Sequence, residues 1–114
     1  MGVTHSSRQN VVVAEPGIHI SVLAEYECFP LWRHDADGMA NLSPAELGLP
    51  HKLANDLLVW SEDYERTLNT SDPGASGFAD AQAEAGFIAR GRALTARVAA
   101  ALGPAVTVEF DPGV

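Results

Sequence analysis

Four oxygen-bearing side chains between residues 35 and 46 have the spacing of a calcium-binding loop. Asp35, Asp37, Ser43 and Glu46 occupy positions 1, 3, 9 and 12 of such a loop. Position 5, however, is Met39, which offers no side-chain oxygen, and position 6, which needs a glycine for the sharp turn, is an alanine. We therefore interpret the segment as an acidic turn that leads into a helix capping box, and we predict no metal site.

Histidine and cysteine residues indicate little further chemistry. The four histidines, His5, His19, His34 and His51, form no pair at a metal-ligand spacing, and a structural zinc site needs four ligands. Cys28 is the only cysteine, which excludes an internal disulfide and fits a reducing compartment. Its acidic neighbours and the lack of an adjacent helix start argue against an activated nucleophile. We predict a structural cysteine.

Motifs of nucleotide and ester chemistry are absent from the sequence. It has no P-loop, no dinucleotide-binding glycine pattern and no Gly-x-Ser-x-Gly elbow. Carboxylate pairs such as Glu25 and Glu27 are spaced for acid–base work, but an acidic chain contains many such pairs. We predict no catalytic residue and no cofactor. The alternative is a small enzyme or metabolite-binding protein with carboxylates and His19 or His34 in a cleft between sheet and helices.

Charge constrains the binding partners. Seven Lys and Arg residues face fifteen Asp and Glu residues, for a net charge of −8. Because nucleic-acid affinity comes largely from basic side chains that neutralise phosphates, we predict no nucleic-acid partner. No apolar run approaches the roughly 18 residues that a membrane span needs, so we predict no membrane partner and a cytoplasmic protein. An acidic surface is compatible with a basic protein partner, because complementary charges steer the encounter. The alternative is that the negative charge only keeps the protein soluble.

The hydrophobic pattern predicts an α+β fold. A chain of 114 residues has the size of one domain, which we place at residues 10–112, after a disordered segment at residues 1–9. Residues 11–14, 18–28 and 106–110 have strand character, with period-two alternation in the second and third runs. Residues 31–49 are the least regular, and Ser43 opens a short helical turn there.

Two amphipathic helices are predicted, at about residues 50–68 and 80–102, with Asp80 as the N-cap of the second. Five apolar residues share one face of the first helix: Leu53, Leu57, Trp60, Tyr64 and Leu68. On the second helix the shared face contains Phe87, Gly91, Leu94, Val98 and Ala101. The predicted order is β-β-α-α-β, with a three-stranded, mainly antiparallel sheet and both helices on one face. The last strand is predicted to pair with residues 18–28. Gly91 predicts that the backbone of the second helix closely approaches a neighbouring element, such as the first helix.

The connection between the predicted helices, residues 69–80, is longer than most helix connections. Such connections are more often functional or mobile. Phe78 follows a glycine near its end, and we predict that this ring packs back into the core. The anchored connection is then a candidate recognition surface.

Aromatic, glycine and proline residues from residue 24 onward form a recognisable set. The set comprises Ala24-Glu25-Tyr26, Pro30-Leu31-Trp32, Trp60 with Tyr64, Thr67-Leu68-Asn69, Asp72-Pro73, Ser76-Gly77-Phe78, Phe87, Gly91 and Leu102-Gly103-Pro104. This set resembles a family of small, mostly uncharacterised actinobacterial proteins. The chain departs from the family pattern at Leu49-Pro50-His51-Lys52, where the first main helix begins. The resemblance implies no particular activity.

These observations favour a non-catalytic, intracellular protein-interaction module. An immunity- or antitoxin-like role, in which the acidic surface binds a basic protein, is one concrete form of this hypothesis. Trp and Arg are favoured binding anchors, and we expect Trp32 to lie exposed beyond the strand that Pro30 ends. The predicted partner-binding residues are Trp32, Arg33, Asp56, Asp63, Asn69, Asp72 and Ser76. A homodimer formed through an open sheet edge is a further hypothesis.

Overall fold

The computed structural model of the protein describes residues 18–36, 38–68 and 77–112. Its elements, in chain order, are β1 (His19–Val22), β2 (Leu31–Asp35), β3 (Gly38–Leu42), a 3₁₀ turn (Pro44–Leu47), α1 (His51–Glu65), α2 (Ala81–Leu102) and β4 (Thr107–Phe110). The predicted α+β class and both main helices are confirmed. The segments predicted at residues 1–9 and 11–14 lie outside the described residues, so the domain boundaries stay predictions.

The strands form one mixed sheet in the order β3-β2-β1-β4. β1 pairs antiparallel with β2, and β2 antiparallel with β3, whereas β1 and β4 are parallel. The prediction of a three-stranded, mainly antiparallel sheet is therefore wrong in strand number and in the direction of the last pair. The predicted pairing of the last strand with the strand at residue 18 onward is confirmed. The two helices between β3 and β4 form a long crossover, which is what a parallel pair requires.

Residues 31–42, predicted to be irregular, form the β2–β3 hairpin. Asp35 pairs with Gly38 at the end of the hairpin, and Gly38 has a φ of 124°, which favours glycine. The strands are rich in polar residues because one face of the hairpin points away from the helices. Conversely, the strand predicted over residues 18–28 ends at Val22. Residues 23–30 form the β1–β2 connection.

Local sequence signals fix the helix ends. The side chain of Asp80 accepts the Ala83 N–H at 2.8 Å, which caps α2 as predicted. The predicted capping box is also present, because the Ser43 N–H donates to Glu46 Oε1 at 2.8 Å while Ser43 Oγ accepts the Glu46 N–H. The 3₁₀ turn ends at Gly48 in the left-handed conformation.

The core lies between the sheet and the two helices. Trp60 occupies its centre, with its ring stacked on Phe87 at a centroid distance of 4.5 Å and its Nε1 donating to the Phe87 carbonyl at 2.9 Å. Gly91 is buried directly beneath Trp60 and Phe110, which confirms the predicted close approach. Phe78 packs on Phe87 at 4.8 Å, so the predicted packing of this ring on the core is also confirmed.

Candidate functional site

The β1–β2 connection is held against the carboxyl-terminal end of α1. The Leu23 N–H donates to the Pro30 carbonyl at 3.0 Å and closes the base of the connection. Tyr26 anchors the tip, because its ring stacks on Tyr64 with 4.6 Å between centroids and its hydroxyl lies 2.7 Å from Thr67 Oγ1. Burial raises the pKa of Tyr64. The connection is thus tied to the helix by several side chains.

The Asn41 side chain of β3 fixes the last part of the connection. Its Oδ1 accepts the Phe29 N–H at 2.9 Å, and its Nδ2 donates to the Phe29 carbonyl at 2.6 Å and to the Leu31 carbonyl at 3.1 Å. One amide thereby satisfies both backbone polar groups of Phe29. The Phe29 ring itself is 44% exposed. The backbone is therefore held in place while an aromatic ring is presented to solvent.

Leu58 of α1 is the second exposed apolar side chain of this region, at 37%. Phe29 and Leu58 together line two adjacent depressions of about 370 and 270 Å³. Glu27, Glu62 and Glu65 line the larger depression with them. We call these five residues the acidic-rimmed surface. Its centre is apolar and its edge is formed by carboxylates.

No ion pair within the described part of the chain neutralises the three glutamates of the acidic-rimmed surface. The described Lys and Arg side chains that form ion pairs reach other carboxylates instead. Glu65 accepts a hydrogen bond from the backbone N–H of Glu27. Glu27 has a φ of 64°, the left-handed conformation, which is costly for a residue with a side chain. This surface therefore combines uncompensated negative charge with a backbone position held in a strained conformation.

A second concave region, the interhelical groove, lies between α1 and α2 and has a volume of about 290 Å³. Val59, Trp60 and Arg90 are among the residues that line it. Its one lining carboxylate, Asp56, is paired within the fold. Asp56 lies 2.9 Å from Arg97 and 3.3 Å from Lys52.

Asp63 is paired in the same way, with Arg90 at 2.6 Å and with Arg66. The hydrogen bond from Arg90 is the main cause that lowers the pKa of Asp63, and the bond from Arg97 does the same for the pKa of Asp56. These ion pairs link the two helices. The negative charges of Asp56 and Asp63 are thus balanced in part by arginines of α2.

The sheet face that points away from the core carries a polar and aromatic row. His34 Nε2 lies 2.7 Å from Ser21 Oγ, and its ring centroid is 4.8 Å from that of His19. His19 Nε2 lies 2.7 Å from Glu109 Oε1. The alternative hypothesis placed His19 or His34 between sheet and helices, whereas alternation along β1 and β2 puts both on the opposite face. Among the described residues, no group of three His, Cys, Asp or Glu side chains is arranged to hold a metal ion.

The sequence matches one family model, described as Serratia CdiI immunity protein-like, over residues 18–113. The match covers most of the chain. The protein belongs to this family. A comparison with curated proteins returned no match. Family membership supports an immunity-like role in protein interaction, which the sequence had indicated by charge and size. The resemblance to actinobacterial proteins stays a prediction.

The partner-binding residues predicted from the sequence lie in different parts of the structure. Trp32 lies within β2, not beyond a strand, and is half-buried, with its Nε1 donating to the Leu23 carbonyl at 3.1 Å. Arg33 follows it on the other face of the sheet and pairs with Asp35 at 3.1 Å. Asp56 and Asp63 line α1 beside α2, as described above. Asn69, Asp72 and Ser76 lie outside the described residues. The predicted contacts of all seven residues stay predictions.

The sequence analysis did not identify the exposed apolar residues Phe29 and Leu58. A usable signal was present in α1, because Leu58 and Val59 are apolar and fall outside the stripe that contains Leu57 and Trp60. Phe29 gave no such signal, since its exposure depends on the end of β1 at Val22. No described helix is long and apolar enough to cross a membrane.

Proposed function

We propose that this protein is an immunity protein that neutralises a toxin by binding it directly. The family match over residues 18–113 carries the proposal. The protein acts by occupying a surface of the toxin, without catalysis of its own. Direct binding needs only a complementary surface, which a domain of this size can supply.

Charge supports a basic toxin surface as the partner. The chain has a net charge of −8. Several of its few basic residues form ion pairs within and between α1 and α2. Acidic side chains elsewhere on the surface are left to set the field around the molecule. Such a field accelerates the approach of a positively charged partner and disfavours nucleic acid and other acidic surfaces. The candidate contacts predicted from the sequence, Trp32 and Arg33 among them, belong to the same proposal.

Growth rescue tests the proposed function. Each open reading frame that flanks the gene is expressed in a heterologous host, alone and together with this protein. We expect one of them to arrest growth when expressed alone and to lose this effect when the protein is present, and we expect the two purified proteins to form a stable complex. The proposal fails if no flanking product is toxic, or if a toxic one is neither rescued nor bound.

We also propose that the protein acts in the cytoplasm, because its single cysteine suits a reducing compartment. Fractionation of the native host followed by immunoblotting measures this directly. Recovery in the membrane pellet or the culture medium would contradict it.

A further inference from the structure

We infer that the acidic-rimmed surface is the docking site for the toxin, and that the contact face of the toxin presents an apolar recess surrounded by Lys and Arg side chains. This inference rests on the proposed function and adds the location and chemistry of the contact. It assigns the centre of the interface to Phe29 and Leu58 and its edge to Glu27, Glu62 and Glu65.

The apolar centre has the character of a binding anchor. Phe29 and Leu58 both line each of the two depressions. Exposed aromatic and aliphatic side chains that enter a partner's recess contribute much of the energy of an interface. The backbone of Phe29 is fixed at both its N–H and its carbonyl by Asn41. Little backbone conformational entropy is therefore lost when the ring is buried by a partner.

The charges at the edge specify the partner. Glu27, Glu62 and Glu65 have no described ion-pair partner, in contrast to Asp56 and Asp63, which each contact two basic side chains. Lys and Arg side chains of a partner would supply the missing counter-charges. A second copy of this chain would instead bring like charges together around the same apolar centre. Charge complementarity thus selects a basic protein and disfavours self-association through this surface.

The interhelical groove is the strongest competing site, and its features favour a structural role. Its carboxylate Asp56 is already paired with Arg97 and Lys52. A partner that contacted this groove would have to displace those ion pairs, whereas the acidic-rimmed surface presents its carboxylates without such competition. Val59 is the exposed apolar side chain of the groove, at 46%, and it provides a matched control.

Alanine variants test the apolar centre. Binding of the toxin product identified by growth rescue is measured by calorimetry for Phe29→Ala and Leu58→Ala. We expect each to raise Kd at least about tenfold, as truncation of an anchor does. Val59→Ala and Met39→Ala remove side chains that are equally or more exposed, at 46% and 56%, from other parts of the surface. We expect these controls to change Kd less than about twofold.

Neutral variants test the acidic edge. Glu62→Gln removes one charge from the acidic-rimmed surface, and Glu109→Gln removes one from the sheet face that points away from the core. We expect Glu62→Gln to slow association by about threefold or more at low salt, and Glu109→Gln to leave the rate within about twofold, because steering depends on charges near the contact. Thermal unfolding of each variant verifies that the fold is intact.

The outcomes distinguish the docking site from the proposed function. If the wild-type protein rescues growth but Phe29→Ala and Leu58→Ala bind as tightly as wild type, the assigned surface is wrong and the immunity role stands. If Val59→Ala alone weakens binding, the interhelical groove is the contact. If light scattering shows a dimer that Leu58→Ala dissociates, a second copy occupies the surface and the inference is overturned. Failure of the wild-type protein to bind or rescue removes both proposals.

Discussion

Gly91 lies in the core at a position where an added Cβ atom would be too close to two aromatic rings. A Cβ built there would lie 2.7 Å from Trp60 Cζ2 and 2.7 Å from Phe110 Cζ. The Trp60 ring cannot move freely, because it is stacked on Phe87 and hydrogen-bonded to the Phe87 carbonyl. Gly86 lies on the same helix with nothing within 4 Å of the equivalent point. Alanine variants at these two glycines therefore distinguish the effect of helix propensity on stability from the effect of packing.

Gly91→Ala should lower the free energy of unfolding by about 1–2 kcal/mol, since overpacking a filled core outweighs the gain in helix propensity. Gly86→Ala should raise it by about 0.5–1 kcal/mol. Urea unfolding followed by circular dichroism measures both variants. Equal stability of the two would show that the core adapts around Gly91 and that the close approach is unimportant.

Glu27 is the one described residue other than glycine with a positive φ. A left-handed conformation costs roughly 1–2 kcal/mol when a side chain is present, and such strain is often found at functional positions. The Glu27 N–H is bound by Glu65, which holds this conformation.

Glu27→Gly should increase the free energy of unfolding by about 0.5–1 kcal/mol, because relief of the strain exceeds the entropy that glycine adds to the unfolded chain. Glu25→Gly is the control, and it should decrease the free energy of unfolding by about 0.5–1 kcal/mol, since its φ is not positive. Denaturant titrations of both variants provide the comparison. A loss of stability in Glu27→Gly would mean that the side chain stabilises the fold more than the strain destabilises it.

Among the elements, α1 and α2 depend on each other more than on their own termini. The residue that precedes α1, Pro50, provides no side-chain cap, and no basic residue lies in the last turn of either helix. The ion pairs of Asp56 and Asp63 with arginines of α2 link the helices at two levels. Trp60 and Phe87 stack between them. The pair of helices therefore behaves as one packed unit.

Asp63→Asn should lower the free energy of unfolding at pH 6.5 by roughly 0.5–1 kcal/mol, the usual range for a partly exposed ion pair. Because Arg90 lowers the pKa of Asp63 in the folded state, this contribution is complete above the ordinary aspartate pKa of about 3.9 and is lost as the pH falls through the lowered value. Denaturant titrations at pH 6.5 and pH 2.5 should show a smaller difference between the variant and wild type at the lower pH.

Glu62→Gln is the matched control for Asp63→Asn, because it removes the neighbouring charge but no described ion pair. It should change the free energy of unfolding by less than about 0.5 kcal/mol at either pH. A constant difference between Asp63→Asn and wild type across the pH range would show that the carboxylate acts through packing, not through its charge.

At the level of the whole molecule, charge and architecture divide the surface into different regions. Arginines of α2 balance the carboxylates that face them, and the sheet face pairs His19 with Glu109. Three glutamates without a described ion pair, Glu27, Glu62 and Glu65, lie around Phe29 and Leu58. Part of the net charge of −8 thus lies beside exposed apolar side chains.

Association with the toxin should depend strongly on ionic strength. Between 50 and 500 mM salt the association rate constant should fall by about tenfold or more, while the dissociation rate constant changes little, because screening acts on the encounter. Stopped-flow mixing at several salt concentrations measures both constants. A rate that is independent of salt would argue against charge steering and in favour of a contact dominated by apolar burial.

The sequence alone determined the features that arise from local physical chemistry. The period of apolar residues defined α1 and α2, Asp80 and the Ser43–Glu46 capping box marked helix starts, and the net charge indicated a basic partner. The helix signals act within one or two helical turns, and the net charge needs only a count of residues. The linear sequence therefore contains both. The close approach at Gly91 was visible for the same reason, because a glycine on the apolar face of a helix leaves room for a neighbouring side chain.

Only the tertiary structure decided which carboxylates remain charged and unpaired, and which apolar side chains remain exposed. Asp63 and Glu62 are neighbours in sequence, yet only Asp63 reaches Arg90 of α2. Phe29 is exposed because β1 ends at Val22 and because the Asn41 side chain hydrogen-bonds the Phe29 backbone. These outcomes depend on contacts between residues far apart in the chain, and no spacing along the sequence specifies them.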